Sequence, residues 1–222
     1  MVGPKEPYAA MSRTSLDSAE VKTMLLAVAD AVIAAEPALS EADRNLGDGD
    51  HGLGMQRGFQ AVQAKLASMD AAEGIDKLLS GTGMAMMSSM GGASGAIFGT
   101  LFRDGGKALV GRTEFDGAAL AAFLRAACDG VMARGKAKPG DKTMVDALHP
   151  AAEKAEEVAG LGIGEALAAV AGAAEAGRDL SSGMVATLGR ARTLGEASVG
   201  HPDAGACSVA VIFRAMSDFA AS

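Results

Sequence analysis

This sequence predicts an all-α fold: a single-domain antiparallel bundle or barrel of about eight helices. Three observations point there. Apolar residues recur at helical spacing through every long segment. No stretch alternates with period two in Val, Ile and Tyr, as a half-buried strand would. And the composition, with 222 residues, 49% hydrophobic, 30 Gly, 7 Phe, 1 Tyr and no Trp, calls for a core closed on small aliphatic and Met side chains. Ala, the strongest helix former, is abundant, and small residues let helices approach closely.

The elements follow in order. Asp17 and Glu20 are spaced as a capping box at the head of a helix over residues 17–36, whose stripe is Val21, Met24, Leu25, Val28 and Val32; Pro37 is expected to stop it. A polar, Gly-rich loop is expected over 40–52. Met55, Phe59, Val62, Leu66 and Met69, alternately four and three apart, mark a second core-facing helix, and residues 74–87 a third. The small residues 88–99 lead into a fourth that ends near Asp104-Gly105-Gly106. Asp116 can cap a fifth, carrying Leu120, Phe123, Leu124, Ala127 and Val131. A basic, Gly-rich turn at 134–142 precedes a sixth over 143–159, with Pro150 as a possible kink. Residues 163–180 are nearly all Ala, Gly and Glu, residues 184–194 are expected to form a short helix, and Asp203 opens the last one, with Val211, Ile212, Ala215, Met216 and Phe219.

Length allows one well-buried domain, expected over 16–222 after an N-terminal tail, residues 1–15, that lacks the apolar stretch of a signal peptide. The formal net charge of −7 disfavours a nucleic-acid or anionic-membrane partner. Cys128 and Cys207 lie far apart and form no CxxC pair, so neither a disulfide framework nor a thiolate zinc site is expected. No run approaches ~18 uninterrupted apolar residues, so no membrane helix is expected. These readings place the protein in the cytoplasm.

The acidic balance makes one block stand out. Residues 43–52 read Asp-Arg-Asn-Leu-Gly-Asp-Gly-Asp-His-Gly. Carboxylates this close repel one another, and clustering Asp43, Asp48 and Asp50 on a glycine-punctuated loop is sensible around a hard divalent cation. An EF-hand is excluded, because its sixth and twelfth positions, counted from Asp43, hold Asp48 and Gly54. Glu-free ligation suits Mg²⁺. The alternative is a solvated turn whose aspartates cap the next helix. His51 could be a ligand, a general base or a plain polar residue at a helix start; Mg²⁺ prefers oxygen, so contact with a bound phosphate or ribose is the better reading.

Three further blocks place glycine and a hydroxyl or cation at helix starts. Met90-Gly91-Gly92-Ala93-Ser94-Gly95 would present bare amides to an anion, or merely allow close helix packing. Gly140-Asp141-Lys142-Thr143-Met144 is the second. The third runs from Gly189-Arg190 to His201-Pro202-Asp203-Ala204-Gly205-Ala206. Arg190 could pair with phosphate bidentately or form a surface salt bridge; Asp203 is at least an N-cap.

Taken together and in this order, the blocks resemble the L-subunit (DhaL) family of bacterial dihydroxyacetone kinases, whose module also forms the C-terminal domain of the single-chain ATP-dependent enzymes. The resemblance covers residues 16–219. It implies an eight-helix antiparallel barrel with nucleotide (ADP or ATP) bound at one end. It also implies two Mg²⁺ ions held by aspartates matching Asp43, Asp48 and Asp50. The nucleotide contacts it implies are His51, Gly52, Leu53, Gly54, Ala93, Ser94, Gly135, Met144, Arg190, Asp203, Ala204 and Gly205, with no catalytic residue assigned. This chain departs from the pattern at Gly54, where the family often carries Asn, and at Ala204, where it often carries Pro.

The implied activity is phosphoryl transfer to dihydroxyacetone or a related short ketose such as erythrulose. That ketose would be held as a hemiaminal on a separate K subunit, so its pocket is not encoded here. The donor would be a phosphotransferase M subunit fed by phosphoenolpyruvate and acting on retained ADP, or alternatively exchanging ATP. A nucleotide-sensing regulatory module and the nucleotide domain of fatty-acid kinases are the competing readings.

Overall fold

A computed structural model describes residues 13–222. The chain forms β1 (Ser15–Leu16), α1 (Ser18–Ala34), α2 (Glu36–Arg44), α3 (His51–Ala67), a 3-10 turn (Ala71–Glu73), α4 (Ile75–Ser89), α5 (Gly92–Lys107), β2 (Phe115–Asp116), α6 (Gly117–Gly135), α7 (Val145–Glu157), α8 (Ile163–Ser181), a 3-10 segment (Arg190–Ser198) and α9 (Ala204–Ala221).

The long helices make a closed ring. α1 packs on α3, α3 on α4, and so on in chain order to α8 and α9, and α9 returns to α1. Among the described residues the ring has eight members, with α2 as a short ninth helix lying on α3 and α9. An even ring of antiparallel neighbours closes without conflict of direction. It also sorts the helix ends: α3, α5, α7 and α9 begin at one end, and α1, α4, α6 and α8 at the other. By length and composition α9 would pass as a membrane span, contrary to the sequence expectation, but 61% of it is buried inside the protein.

Local chemistry explains most boundaries. Asp17 and Glu20 form the expected capping box at α1, and Asp116 and Asp203 accept from Ala119 N and Ala206 N at the starts of α6 and α9, each at 2.8 Å. The first helix stops at Ala34, short of Pro37, and Pro37 belongs to a new helix. It sits in the first turn of α2, where the missing N–H is no loss, so the first part of the expected loop, Ser40–Arg44, is helical. The expected helix at 184–194 is absent; instead the 3-10 segment starts at Arg190, and Gly195 breaks it with φ 54°. Gly183 just before the expected helix and Gly189 in its middle work against a regular α-helix there. α7 starts at Val145 and runs through Pro150.

β1 and β2 were not foreseen, since two-residue strands are too short to show alternation. Ser15 pairs with Asp116 and Leu16 with Phe115. The first twelve residues of the expected tail lie outside the described residues. Arg13 and Thr14, also placed in that tail, are engaged: their carbonyls accept from Gly164 N at 3.1 Å and Ile163 N at 3.0 Å.

The ring interior is one continuous apolar core. Six of the seven Phe are buried there, and Phe59, Phe102, Phe123 and Phe115 follow one another with ring centroids 6.2–6.3 Å apart. Elsewhere backbones meet closely. A Cβ on Gly83 of α4 would lie 2.4 Å from the Gly99 carbonyl of α5, and one on Gly99 2.7 Å from the Gly83 carbonyl. Many glycines therefore serve contact between helices rather than loops.

Candidate functional site

The helix starts of α3, α5, α7 and α9 surround a cavity of about 790 Å³. Its wall holds four carboxylates (Asp43, Asp48, Asp50, Asp203) and three cations (Arg57, Lys142, Arg190). The carboxylates on one side of this cavity would repel a bare polyanion unless a cation stands among them.

Three of those carboxylates converge. Asp43 lies in the last turn of α2, and Asp48 and Asp50 in the connection to α3. One oxygen from each lies within 4.8 Å of the others. The Asp43 carbonyl accepts from Leu46 N at 2.9 Å and Gly47 N at 2.6 Å, which folds the connection back; its side chain accepts from His51 N at 3.2 Å. The Arg190 guanidinium contacts Asp48 and lies 3.8 Å from Asp50. A cation thus already stands where the carboxylates' mutual repulsion asks for one. Three hard oxygen donors with no thiolate fit Mg²⁺ or Ca²⁺.

Beside this cluster the N-terminus of α5 is open. It has no side-chain cap and no acid in its first turn, and among the described residues no hydrogen bond engages the amides of Gly92, Ala93 and Ser94. Gly91 and Gly92 take φ values of 73° and 61° with no atom within 4 Å of where a Cβ would be. They turn the chain into the helix in a conformation side chains resist, and leave the amides uncovered. Unpaired amides and the positive helix end make an anion seat.

The other helix starts are better supplied. At α7, Asp146 accepts from Gly140 N at 2.6 Å and Thr143 N at 2.7 Å. At α9, Asp203 is the cap, and desolvation pushes its carboxyl up to about 7, helped by nearby Asp146 and opposed by the Ala206 amide and Lys142. His51 opens α3, but its ring is turned to α9. Nε2 pairs with Ser208 Oγ at 2.8 Å, the ring is tilted on Phe98 at 5.9 Å, and burial holds the imidazole below its usual range against the pull of Asp43. Ser208 thus engages Nε2, and the three ligand groups that converge are carboxylates alone.

Of the residues singled out in the sequence, Asp43, Asp48, Asp50, His51, Gly54, Ala93, Ser94, Met144, Arg190, Asp203, Ala204 and Gly205 all line the cavity. Gly52, Leu53 and Gly135 do not. Gly52 faces α2, where a Cβ would meet Ser40 Oγ at 2.4 Å; Leu53 is exposed; Gly135 ends α6, at ordinary contact distance behind Ile97. The cavity adds Leu46, Arg57, Ile97, Phe98 and Leu188, which sequence reasoning missed. One signal was available: Asp50, Gly54 and Arg57 are spaced i, i+4, i+7 along one face. Leu46, Ile97 and Leu188 carry no such mark, since an apolar residue reads the same in a core and in a cavity wall.

The helical ring thus gathers three carboxylates beside an uncapped helix N-terminus. The chain belongs to the DAK2 domain family, whose profile matches residues 45–218. It is 40% identical over 197 residues to the PEP-dependent dihydroxyacetone kinase, ADP-binding subunit DhaL, of Escherichia coli (strain K12), covering 88% of this chain and 93% of that one. It is also 40% identical over 200 residues to L-erythrulose kinase of Pectobacterium atrosepticum, covering 89% of this chain but 34% of that longer protein. The crystal structure of the dihydroxyacetone kinase from C. freundii in complex with AMP-PNP and Mg²⁺ matches with a TM-score of 0.71 at 23% identity, over 98% of this chain and 37% of that one. That likeness establishes a shared fold.

Proposed function

We propose that this chain is the nucleotide-binding, phosphoryl-transferring subunit of a kinase for dihydroxyacetone or a related short ketose, carrying ADP with two Mg²⁺ ions. One observation carries the reading: the carboxylate cluster and the bare N-terminus of α5 open into the same cavity. The near-complete overlap with the E. coli ADP-binding subunit supports it, and favours phosphoenolpyruvate as the ultimate phosphoryl source, delivered by a phosphotransferase M subunit. The ketose would be held by a separate K subunit, and the complex would work in the cytoplasm.

Asp43, Asp48 and Asp50 would hold Mg²⁺, which supplies charge neutralisation across a polyphosphate as a phosphoryl group moves. The Ala93 and Ser94 amides seat a phosphate, with the Ser94 hydroxyl as a further donor. Arg190, now at Asp48 and Asp50, would offer a planar two-pronged donor to phosphate oxygens with those aspartates on a metal. Ile97, Phe98, Met144 and Leu188 give the cavity an apolar wall suited to a nucleobase. His51, fixed by Ser208, lines the same cavity and would contact the ligand there. Positioning and preset electrostatics account for the chemistry, with no covalent phosphoryl-protein step.

The test has two arms. Mass spectrometry of freshly purified protein identifies any retained nucleotide, and calorimetry measures ADP binding with and without Mg²⁺. Binding that requires Mg²⁺ supports the reading, and no ADP binding under either condition overturns it. Mixing the protein with a K subunit and either ATP or the phosphoenolpyruvate-fed M subunit then identifies the donor from the ketose phosphate formed.

A further inference from the structure

The ring has one long stretch without an α-helix: residues 182–202, which leave α8 after Ser181 and return at Asp203 before α9. This excursion carries Arg190 to the carboxylates. A single buried side chain holds both of its ends. Lys142 is 1% exposed, and its ammonium donates to the Ser181 carbonyl and to the His201 carbonyl, each at 2.6 Å. Further bonds stitch the same base. Gly200 N donates to the Ser182 carbonyl at 2.8 Å, and Asp203 N to Ser181 Oγ at 3.0 Å.

Lys142 is itself held in place. Its φ of 58° is left-handed, a conformation that non-glycine residues adopt only when their surroundings impose it. Asp146 fixes the amides on either side of it, Gly140 N and Thr143 N. Asp141 accepts from Lys138 N at 2.8 Å and from Thr187 Oγ1 of the excursion at 2.6 Å. A buried ammonium is a costly way to fill space that Met would fill. Two of its three donors go to carbonyls that bracket one loop, which gives the charge a specific use.

We propose that Lys142 is a positioning residue for Arg190: it clamps the base of residues 182–202 so that the guanidinium is delivered to Asp48, Asp50 and the anion beside them. The clamp stands on the bonds alone; only its effect on ligand binding rests on the functional reading above.

The experiment compares wild type, Lys142→Met, Arg190→Ala and the double variant. Hydrogen exchange tests the clamp without ligand. In Lys142→Met the amides of Ala186, Thr187 and Gly200 exchange faster, while those of α1, α3 and α6 keep their protection. Calorimetry with Mg²⁺ and ADP tests the route through Arg190. Lys142→Met weakens binding about tenfold in the wild-type background and less than about twofold on Arg190→Ala, because contacts acting through one group do not add.

Equal factors in both backgrounds, or unchanged exchange in the excursion, overturn the proposal. Should Lys142→Met fail to fold, Thr187→Val removes the second tether. It is expected to show a smaller loss, again absent on Arg190→Ala, and an additive result overturns the proposal equally. If wild type binds no Mg²⁺-ADP, the functional reading fails while the exchange arm still decides the clamp.

Discussion

The two ends of the ring differ in how they treat most of their helix starts. At the far end α1 begins with a complete capping box and α6 with an aspartate cap, and the first amides of α8 donate to the Arg13 and Thr14 carbonyls. At the site end α3, α5 and α7 have no cap from the N-cap side chain, and at α5 nothing replaces it. The same end gathers Asp43, Asp48 and Asp50, which repel one another without a cation. The contrast has an exception at each end: α4 starts at Gly74 with no side-chain cap, though Asp76 stands in its first turn, and α9 is capped by Asp203. On the function proposed above, bare amides beside clustered carboxylates trade stability for binding.

That contrast can be broken at either end. The largest effect is expected at the carboxylates: Asp48→Asn should weaken Mg²⁺-dependent ADP binding by about 100-fold, the equivalent of about 2.7 kcal/mol, without lowering the melting temperature of the metal-free protein. Calorimetry and thermal unfolding on one preparation check both halves. Next, Ala93→Asp puts a charge at the open start of α5. It should raise stability by about 0.5 kcal/mol through the helix dipole while reducing ADP affinity by about 30-fold through charge repulsion. If both properties moved together, the α5 amides would not be the anion seat.

Asp203 supplies a pH test. Its carboxyl is raised from 3.8 to about 7, so the folded state favours the protonated acid. The stabilisation is complete below about pH 4 and is lost as pH rises through about 7. Asp203→Asn keeps a capping side chain and removes this titration. Wild-type stability relative to the variant should fall by on the order of 4 kcal/mol between pH 4 and pH 8, as read by denaturant unfolding.

At the far end, Asp17→Ala should cost about 1 kcal/mol and leave ADP affinity unchanged; a loss of binding would mean the two ends are coupled. The smallest effect is expected at Gly54, where a Cβ would meet only Arg57 Nη2, at 3.9 Å. Gly54→Asn has room, and should tighten ADP binding by about threefold, a single exposed hydrogen bond.

Residue order alone was enough for the helical class, the caps at Asp17, Asp116 and Asp203, and the blocks that supply most of the cavity wall. These are local matters: periodicity and capping act within a few residues, and glycine next to carboxylate or hydroxyl is visible wherever it occurs. Pro37 was misread because the rule that ends a helix at proline also permits one to begin there, and nothing nearby says which applies. The 3-10 segment at Arg190–Ser198 was misplaced because several glycines weaken every local preference.

Other features exist only once the ring closes. No spacing rule links Asp43 to Arg190, or Lys142 to the carbonyls of Ser181 and His201. Helix starts more than a hundred residues apart share a cavity because antiparallel neighbours sort their ends. Whether Gly52 meets a ligand or a neighbouring helix was likewise undecided until α2 lay against it. Chemistry that depends on neighbours in sequence is written in the sequence, and chemistry that depends on neighbours in space waits for the chain to fold.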